Sequence, residues 1–224
     1  MLINNMKRRD AIKGCAILST WVLFPNKLFS CEEINHPLHL VGLGGAGCNA
    51  LELIYNKNIN ARFTGISELE KRSEPLSGIN YIDFIPPKRI HLKTADEDYS
   101  ISDMSQKLVL PDHIKKLFEE NHRYVLLAGL GGYTGSYMIE ELALLLSKWG
   151  KDFSIICSLP FSFEDSVRKS IAWRVVHKLH PLNRVKYFDL DTIRDKYGDI
   201  SLKHAFQKGD EQFFRLFGKL RVNA

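Results

Sequence analysis

Two stretches of this chain govern its interpretation: Val41-Gly42-Leu43-Gly44-Gly45-Ala46-Gly47-Cys48-Asn49 and, far downstream, Ala128-Gly129-Leu130-Gly131-Gly132-Tyr133-Thr134-Gly135-Ser136. Each follows an apolar run and opens an amphipathic one. Glycine lacks a Cβ, so backbone N–H groups in such a loop can come close to a phosphate, and a helix N-terminus adds partial positive charge. One loop of this kind at a strand-to-helix turn makes an anion site. Two in one sheet predict a ligand with several phosphates, gripped from two sides.

Working outward, Leu38 to Gly42 reads as a buried strand, and the helix after it uses Ala50, Leu51, Ile54 and Tyr55 as its apolar face. Ala61 to Ile66 and Asn80 to Ile85 read as further strands, the latter closed by Pro86-Pro87. The polar stretch from Pro87 to Asp103 reads as a loop, and Pro111 to Glu120 as a helix with proline in its first turn. Arg123 to Ala128 is a strongly apolar strand. The second glycine loop then opens a helix to about Trp149, with Met138, Leu142, Leu145 and Trp149 on one stripe. Phe153 to Cys157 is a strand, a helix runs to about Leu179, Arg184 to Phe188 is a short strand, and a last long helix starts near Ser201. Alternating strands and helices predict an α/β fold: a doubly wound, mainly parallel sheet with helices on both faces. Ligands of such sheets bind beyond the carboxyl ends of the strands, where both glycine loops fall.

A chain of 224 residues fits one such domain, and 45% apolar with 25% charged residues is a globular composition. The net charge of +5 is mild and interleaved. It argues for a solvated surface and against a nucleic-acid partner. None of the cysteines 15, 31, 48 and 157 sits at metal-ligand spacing, and His177 and His180 lack the glutamate of a zinc motif, so no metal site is predicted from the protein's own side chains.

Residues 1–33 read as a separate unit, and 34–224 as the domain. Lys7-Arg8-Arg9-Asp10-Ala11-Ile12-Lys13 precedes the short apolar run Gly14 to Phe24, the layout of a secretory signal, and the arginine pair resembles a twin-arginine export signal. The run is shorter than the roughly 20 residues that cross a bilayer. Export, anchoring to a membrane surface through residues 7–24, and an ordinary helix all stay open.

Taken alone, Gly42-x-Gly44-x-x-Gly47 satisfies the dinucleotide fingerprint, and Glu68 lies where a ribose-binding acid belongs, about 20 residues on. An NAD- or FAD-binding Rossmann protein therefore remains an alternative, although that scheme has no place for the second loop.

Four motifs in order resemble the FtsZ/tubulin family, over about residues 38 to 220. The first loop is similar to the first nucleotide loop of FtsZ. Ala128 to Ser136 resembles the glycine-rich phosphate loop shared by tubulins and FtsZ. Pro160-Phe161-Ser162-Phe163-Glu164 resembles the next loop, and Ser201-Leu202-Lys203-His204-Ala205-Phe206 with Asp210 resembles the start of the family's central helix. The resemblance implies GTP or GDP as ligand, with Mg2+ carried by the nucleotide. It implies that Gly44, Gly45, Ala46 and Gly47 face the α- and β-phosphates and that Asn49 points near the nucleotide. Gly131, Gly132, Thr134, Gly135 and Ser136 would wrap the β-phosphate and what lies beyond it. Glu164 and Arg168 would reach the ribose side, Phe206 would stack on guanine, and Asp210, one helical turn on, would accept from guanine's N1–H and 2-amino groups.

The chain departs from the family pattern in places. Cys48, Tyr133 and Tyr137 stand where glycines are expected, no glycine occurs between Ile90 and Ser102, and an asparagine expected near Asp189-Leu190-Asp191 is missing. The chain stops at Ala224, about where the central helix ends, so the resemblance implies that the second domain and its water-activating acidic loop are absent. On this reading the protein is a guanine-nucleotide switch or weak GTPase in a membrane-linked process, without the self-stimulated hydrolysis of a protofilament. A degenerate scaffold that no longer binds nucleotide is the second reading. A missing second domain would leave Phe213, Phe214, Phe217 and Leu220 of the last helix open to a heterotypic protein partner. GTP points to the cytoplasmic face of the membrane, and a twin-arginine passenger to the outside; the cytoplasmic face is favoured.

Overall fold

The structure is a computed structural model that describes residues 36–68, 76–84, 89–93, 98–102 and 109–222. The expectation for residues 1–33 lies outside the described residues.

Three strands carry nearly continuous apolar runs: β1 (Leu38–Leu43), β6 (Arg123–Gly129) and β7 (Phe153–Leu159). Such runs suit strands covered on both faces, as in the middle of a parallel sheet. They are its centre. With β2 (Arg62–Ser67), β3 (Asn80–Asp83) and β8 (Val185–Asp189), they form a six-stranded sheet in the order β3-β2-β1-β6-β7-β8, with every pair parallel. The more polar β3 and β8 take the edges. The chain winds outward from β1 in one direction and from β6 in the other, so the winding reverses between these two neighbours. A crevice for ligands opens at such a point, beyond the strands' carboxyl ends.

Successive side chains of a strand face opposite ways. Leu40, Val125, Leu127 and Ile156 meet one core, covered by α1 (Gly44–Tyr55), α5 (Asp191–Tyr197) and α6 (Leu202–Val222). Val41, Leu43, Leu126 and Ile155 meet the other, covered by α2 (Asp112–Lys116), α3 (Tyr133–Lys148) and α4 (Ser166–Leu179). The side chain of Glu140 on α3 is 10% exposed; it pairs with Lys178 of α4 and lies 3.6 Å from Arg174, tying these two helices. Asp165 caps α4 by accepting from the Arg168 backbone N–H at 2.7 Å.

Three sequence expectations need correction. The stretch read as a loop after Pro87 contains β4 (Arg89–Lys93) and β5 (Asp98–Ser102), an antiparallel pair with Arg89 opposite Ser102 and Lys93 opposite Asp98. The helix α5 falls where the sequence pattern predicts none. The apolar side of α6 is not open: Phe213 is 2% and Phe217 1% exposed, packed with Phe188, Leu51 and Ile54, and Phe214 and Leu220 rest half-buried against the same core. Phe213 meets Phe188 edge to face at 4.9 Å. The reason is the width of the sheet. Its α1 face is broad enough to receive the whole stripe, so α6 needs no partner to cover these rings.

Candidate functional site

Both glycine loops leave the sheet at the winding reversal, from the ends of the paired strands β1 and β6, with Leu43 opposite Ala128. Neither α1, which follows Leu43, nor α3, which follows Gly132, has a side-chain cap on its first N–H groups. The first four N–H groups of a helix have no partner inside it. Two sets of such donors therefore start side by side at one rim of the sheet.

The loops are clasped together. Gly44 has φ +67°, and a Cβ there would lie 2.8 Å from the Gly135 backbone nitrogen. A Cβ at Gly129 would lie 2.6 Å from the Cβ of Ala46, and one at Gly47 would collide with the Leu127 carbonyl oxygen. Gly47 and Gly135 are buried in these close approaches, whereas Gly45, Ala46 and Asn49 are exposed, and the Cβ direction of Gly45 meets only open space. In the second loop Gly131, at φ +91°, passes the backbone of Arg168; its N–H donates to Ser136 Oγ at 3.0 Å. Ser136 is fully buried and Thr134 is 9% exposed, so these hydroxyls sit inside the loop and Gly132 is its half-buried rim.

The tyrosines that replace glycines do not fill the cradle. Tyr133 and Tyr137 lie ring to ring at 4.9 Å in the core under α3 and α4, where Arg174 lies 6.0 Å from the Tyr137 ring.

The loop after β7 brings Glu164 and Arg168 to the rim but bonds them to each other. Glu164 Oε2 accepts from Arg168 Nη1 at 2.9 Å and Oε1 from the Phe161 N–H at 2.8 Å. Ser162 donates to Asp191 through both its N–H and its hydroxyl. In the same loop Phe161 is buried, stacks under Phe163 at 4.9 Å, and takes the edge of Phe206 at 5.6 Å. Phe163 is 58% and Phe206 45% exposed, which makes an open aromatic surface. Sequence reasoning passed over Phe163, although it stands in the quoted Pro160–Glu164 motif.

Asp210 lies one turn along α6 from Phe206, is half-buried, and makes no hydrogen bond or ion pair among the described residues. Burial, helped by the charge of Glu52 on α1, pushes its carboxyl up to about 7. Glu52 was also missed; its signal was its place three residues after Asn49, on the same side of α1. A polar cleft of about 520 Å³ lies at the other end of the sheet, lined by the starts of β2 and β3 and by Leu117.

No family model matches the chain. Among curated proteins it is 23% identical over 185 residues to cell division protein FtsZ 1 of Archaeoglobus fulgidus, covering 82% of this chain and 50% of that one. An FtsZ variant from M. jannaschii superimposes with a TM-score of 0.62 at 18% identity, covering 84% of this chain and 56% of that one. The GDP-bound CetZ1 monomer of Haloferax volcanii gives 0.56 at 18% identity, over 82% and 59%. Two clasped glycine loops on this sheet and a curated FtsZ matched along the sequence agree with the fold that these neighbours share. The chain is FtsZ/tubulin-like. It spans about half the length of the curated relatives it matches. The sheet order is equally that of a dinucleotide-binding Rossmann fold; what separates this FtsZ/tubulin-like domain from one is the second loop, which faces the first across β1 and β6.

Proposed function

We propose that this FtsZ/tubulin-like domain binds a guanine nucleotide, GTP or GDP, at the rim built by its two glycine loops. The clasp of Gly44 against Gly135 is the observation that carries the reading. It puts two uncapped helix starts against one small volume, where a diphosphate or triphosphate is bound by many N–H donors at once. The residues present suit that ligand. Gly45, Ala46 and Gly132 offer backbone without a bulky side chain, Asn49 stands exposed beside them, and both tyrosines are turned away. Phe206 gives a face for the base, and Asp210 an acceptor that the protein leaves unused. Phosphate oxygens would bring Mg2+ with them, since no group of three metal-ligating side chains occurs among the described residues.

We take the domain to be a switch with at most slow hydrolysis. Near the phosphate rim Glu164 and Asp165 accept from groups of their own segment and Asp191 accepts from Ser162 of the loop after β7, which leaves none of these three to orient a water. Turnover is expected on the order of 10⁻³ per second or less, the scale of a guanine site without its completing group. The basic and apolar residues 7–24 support a membrane-linked role on the cytoplasmic face, where GTP is present. No described helix is long and apolar enough to cross a membrane. Protease protection in intact spheroplasts is the expected result for that placement, and digestion would refute it.

Equilibrium binding of fluorescent GDP, GTP and NAD to the full chain tests the nucleotide reading. Saturable guanine binding, weakened at least tenfold in Asp210→Ala, is expected. No binding at millimolar nucleotide would leave the scaffold reading, and tight NAD binding would leave the dinucleotide one.

A further inference from the structure

We infer that His39 and His122 form a metal-binding pair at the end of the sheet away from the glycine loops: their Nδ1 atoms hold one divalent ion of the zinc class, which clips the start of β1 to the segment leading into β6. The inference is independent of the nucleotide reading above.

Strand pairing makes the site. β1 and β6 lie side by side with His39 opposite Tyr124. His122, two residues before Tyr124, therefore stands diagonally across from His39. The two imidazole rings are 5.5 Å apart, centre to centre, and inclined at 68°. His39 is 0% and His122 9% exposed. Among the described residues neither Nδ1 has a hydrogen-bond partner. Buried polar atoms are nearly always satisfied, and two exceptions on adjoining rings call for one shared partner.

The other nitrogen of His39 shows which way Nδ1 is turned. Nε2 lies 2.8 Å from Thr64 Oγ1 on β2. The two nitrogens of an imidazole point nearly opposite ways. With Nε2 on the β2 side, Nδ1 is turned to the β6 side, where His122 stands. Donation of Nε2–H to Thr64 leaves the lone pair on Nδ1, the tautomer a metal-bound histidine needs, held by the kind of outer partner such histidines have. Two imidazoles on one tetrahedral ion, each nitrogen about 2.0–2.1 Å from it, have ring centres roughly 5–5.5 Å apart. The observed spacing meets that requirement.

The neighbouring groups have other tasks. The Tyr124 hydroxyl is directed at the carbonyls of Glu120 and Leu117, at 2.7 and 3.3 Å. The Phe118 ring stacks over His39 and packs on Tyr124. Glu120 Oε2 accepts from Arg62 Nη1 at 2.8 Å and lies 3.5 Å from His122 Nδ1. It stands half-exposed at the mouth of the pair, where it can accept from an ion-bound water. No group of three metal-ligating side chains occurs among the described residues, so the ion keeps water on its remaining positions. Imidazole nitrogen selects zinc-like ions over Mg2+ and Ca2+, which take oxygen. The sequence hid the pair because its members lie far apart in the chain and share no local spacing; only the sheet joins them.

Calorimetric titration of Zn2+ into the nucleotide-free full chain tests this, with imidazole 15N NMR to locate the ion. One Zn2+ per chain is expected, and Mg2+ should not displace it. His39→Gln and His122→Gln should each weaken binding by at least about tenfold. His177→Gln, on α4, should bind as the unmodified chain does. Zn2+ should move the Nδ1 resonances of His39 and His122, and should raise the melting temperature of the unmodified chain but not of His122→Gln. Should the fully buried His39 not tolerate replacement, His122→Gln and the resonances decide. No Zn2+ binding, binding that His122→Gln leaves unchanged, or shifts confined to other histidines would each overturn the inference.

Discussion

At the scale of single residues, the titrating groups make opposite demands on pH. The carboxyl of Asp210 sits at about 7, above the 3.8 of an unperturbed aspartate, because burial and Glu52 disfavour its charge. The folded state then holds the proton more tightly than the unfolded chain does. Stability is lost as pH rises from about 4 to 7, and the full cost applies above 7. Asp210→Asn, uncharged throughout, should melt higher than the unmodified protein at pH 8 and show no such gain at pH 4, by calorimetry. His39 works in the reverse sense. It is fully buried, its Nε2 within 2.8 Å of Thr64 Oγ1, and burial, with the neighbouring His122, lowers it to about 3. The neutral ring is stabilising above pH 6.5, and that contribution drains away as pH falls towards 3. Acid unfolding should therefore be shallower in His39→Gln than in the parent. On the ligand side, Phe206→Ala removes an exposed ring and should weaken guanine-nucleotide binding about tenfold with little change in unfolding free energy, consistent with about 1–3 kcal/mol for stacking a base on an aromatic side chain.

At the scale of elements, the glycine loops explain both what the sequence revealed and what it concealed. The starts of α1 and α3 could be placed because glycine clusters at the end of apolar runs have few other uses. Their internal roles could not. The motifs put Gly47 and Ser136 facing phosphate; in the structure Gly47 is pressed on β6, and Ser136 accepts from Gly131 inside its own loop. Periodicity says which residues lie on a face, and loop residues have no period. The β4–β5 pair escaped for a related reason: its alternation is short and its composition polar, so local pattern resembled a loop and only pairing defines it. Gly47→Ala should cost a few kcal/mol in urea unfolding, because the new methyl has backbone to displace rather than a flexible side chain.

At the scale of the whole molecule, the largest gap between sequence and structure is α6. Its phenylalanines looked exposed because the helix was measured against a family outline with a second domain beyond it. Burial is set by the sheet beneath, and Phe213 and Phe217 find a complete core there. Phe213→Ala or Phe217→Ala should lower unfolding free energy by about 3–5 kcal/mol in the isolated protein. A surface kept for a partner would show almost no loss, so urea titration separates the two cases.

The close contact between Gly44 and Gly135 has one more result. Because the two loops touch through backbone, neither can shift outward without pushing the other. Whatever seats itself against the first is felt at the second in the same event, with no hinge between them. Amide protons at the tips of β1 and β6 should accordingly slow their exchange with solvent in concert, as one body, when the rim is filled.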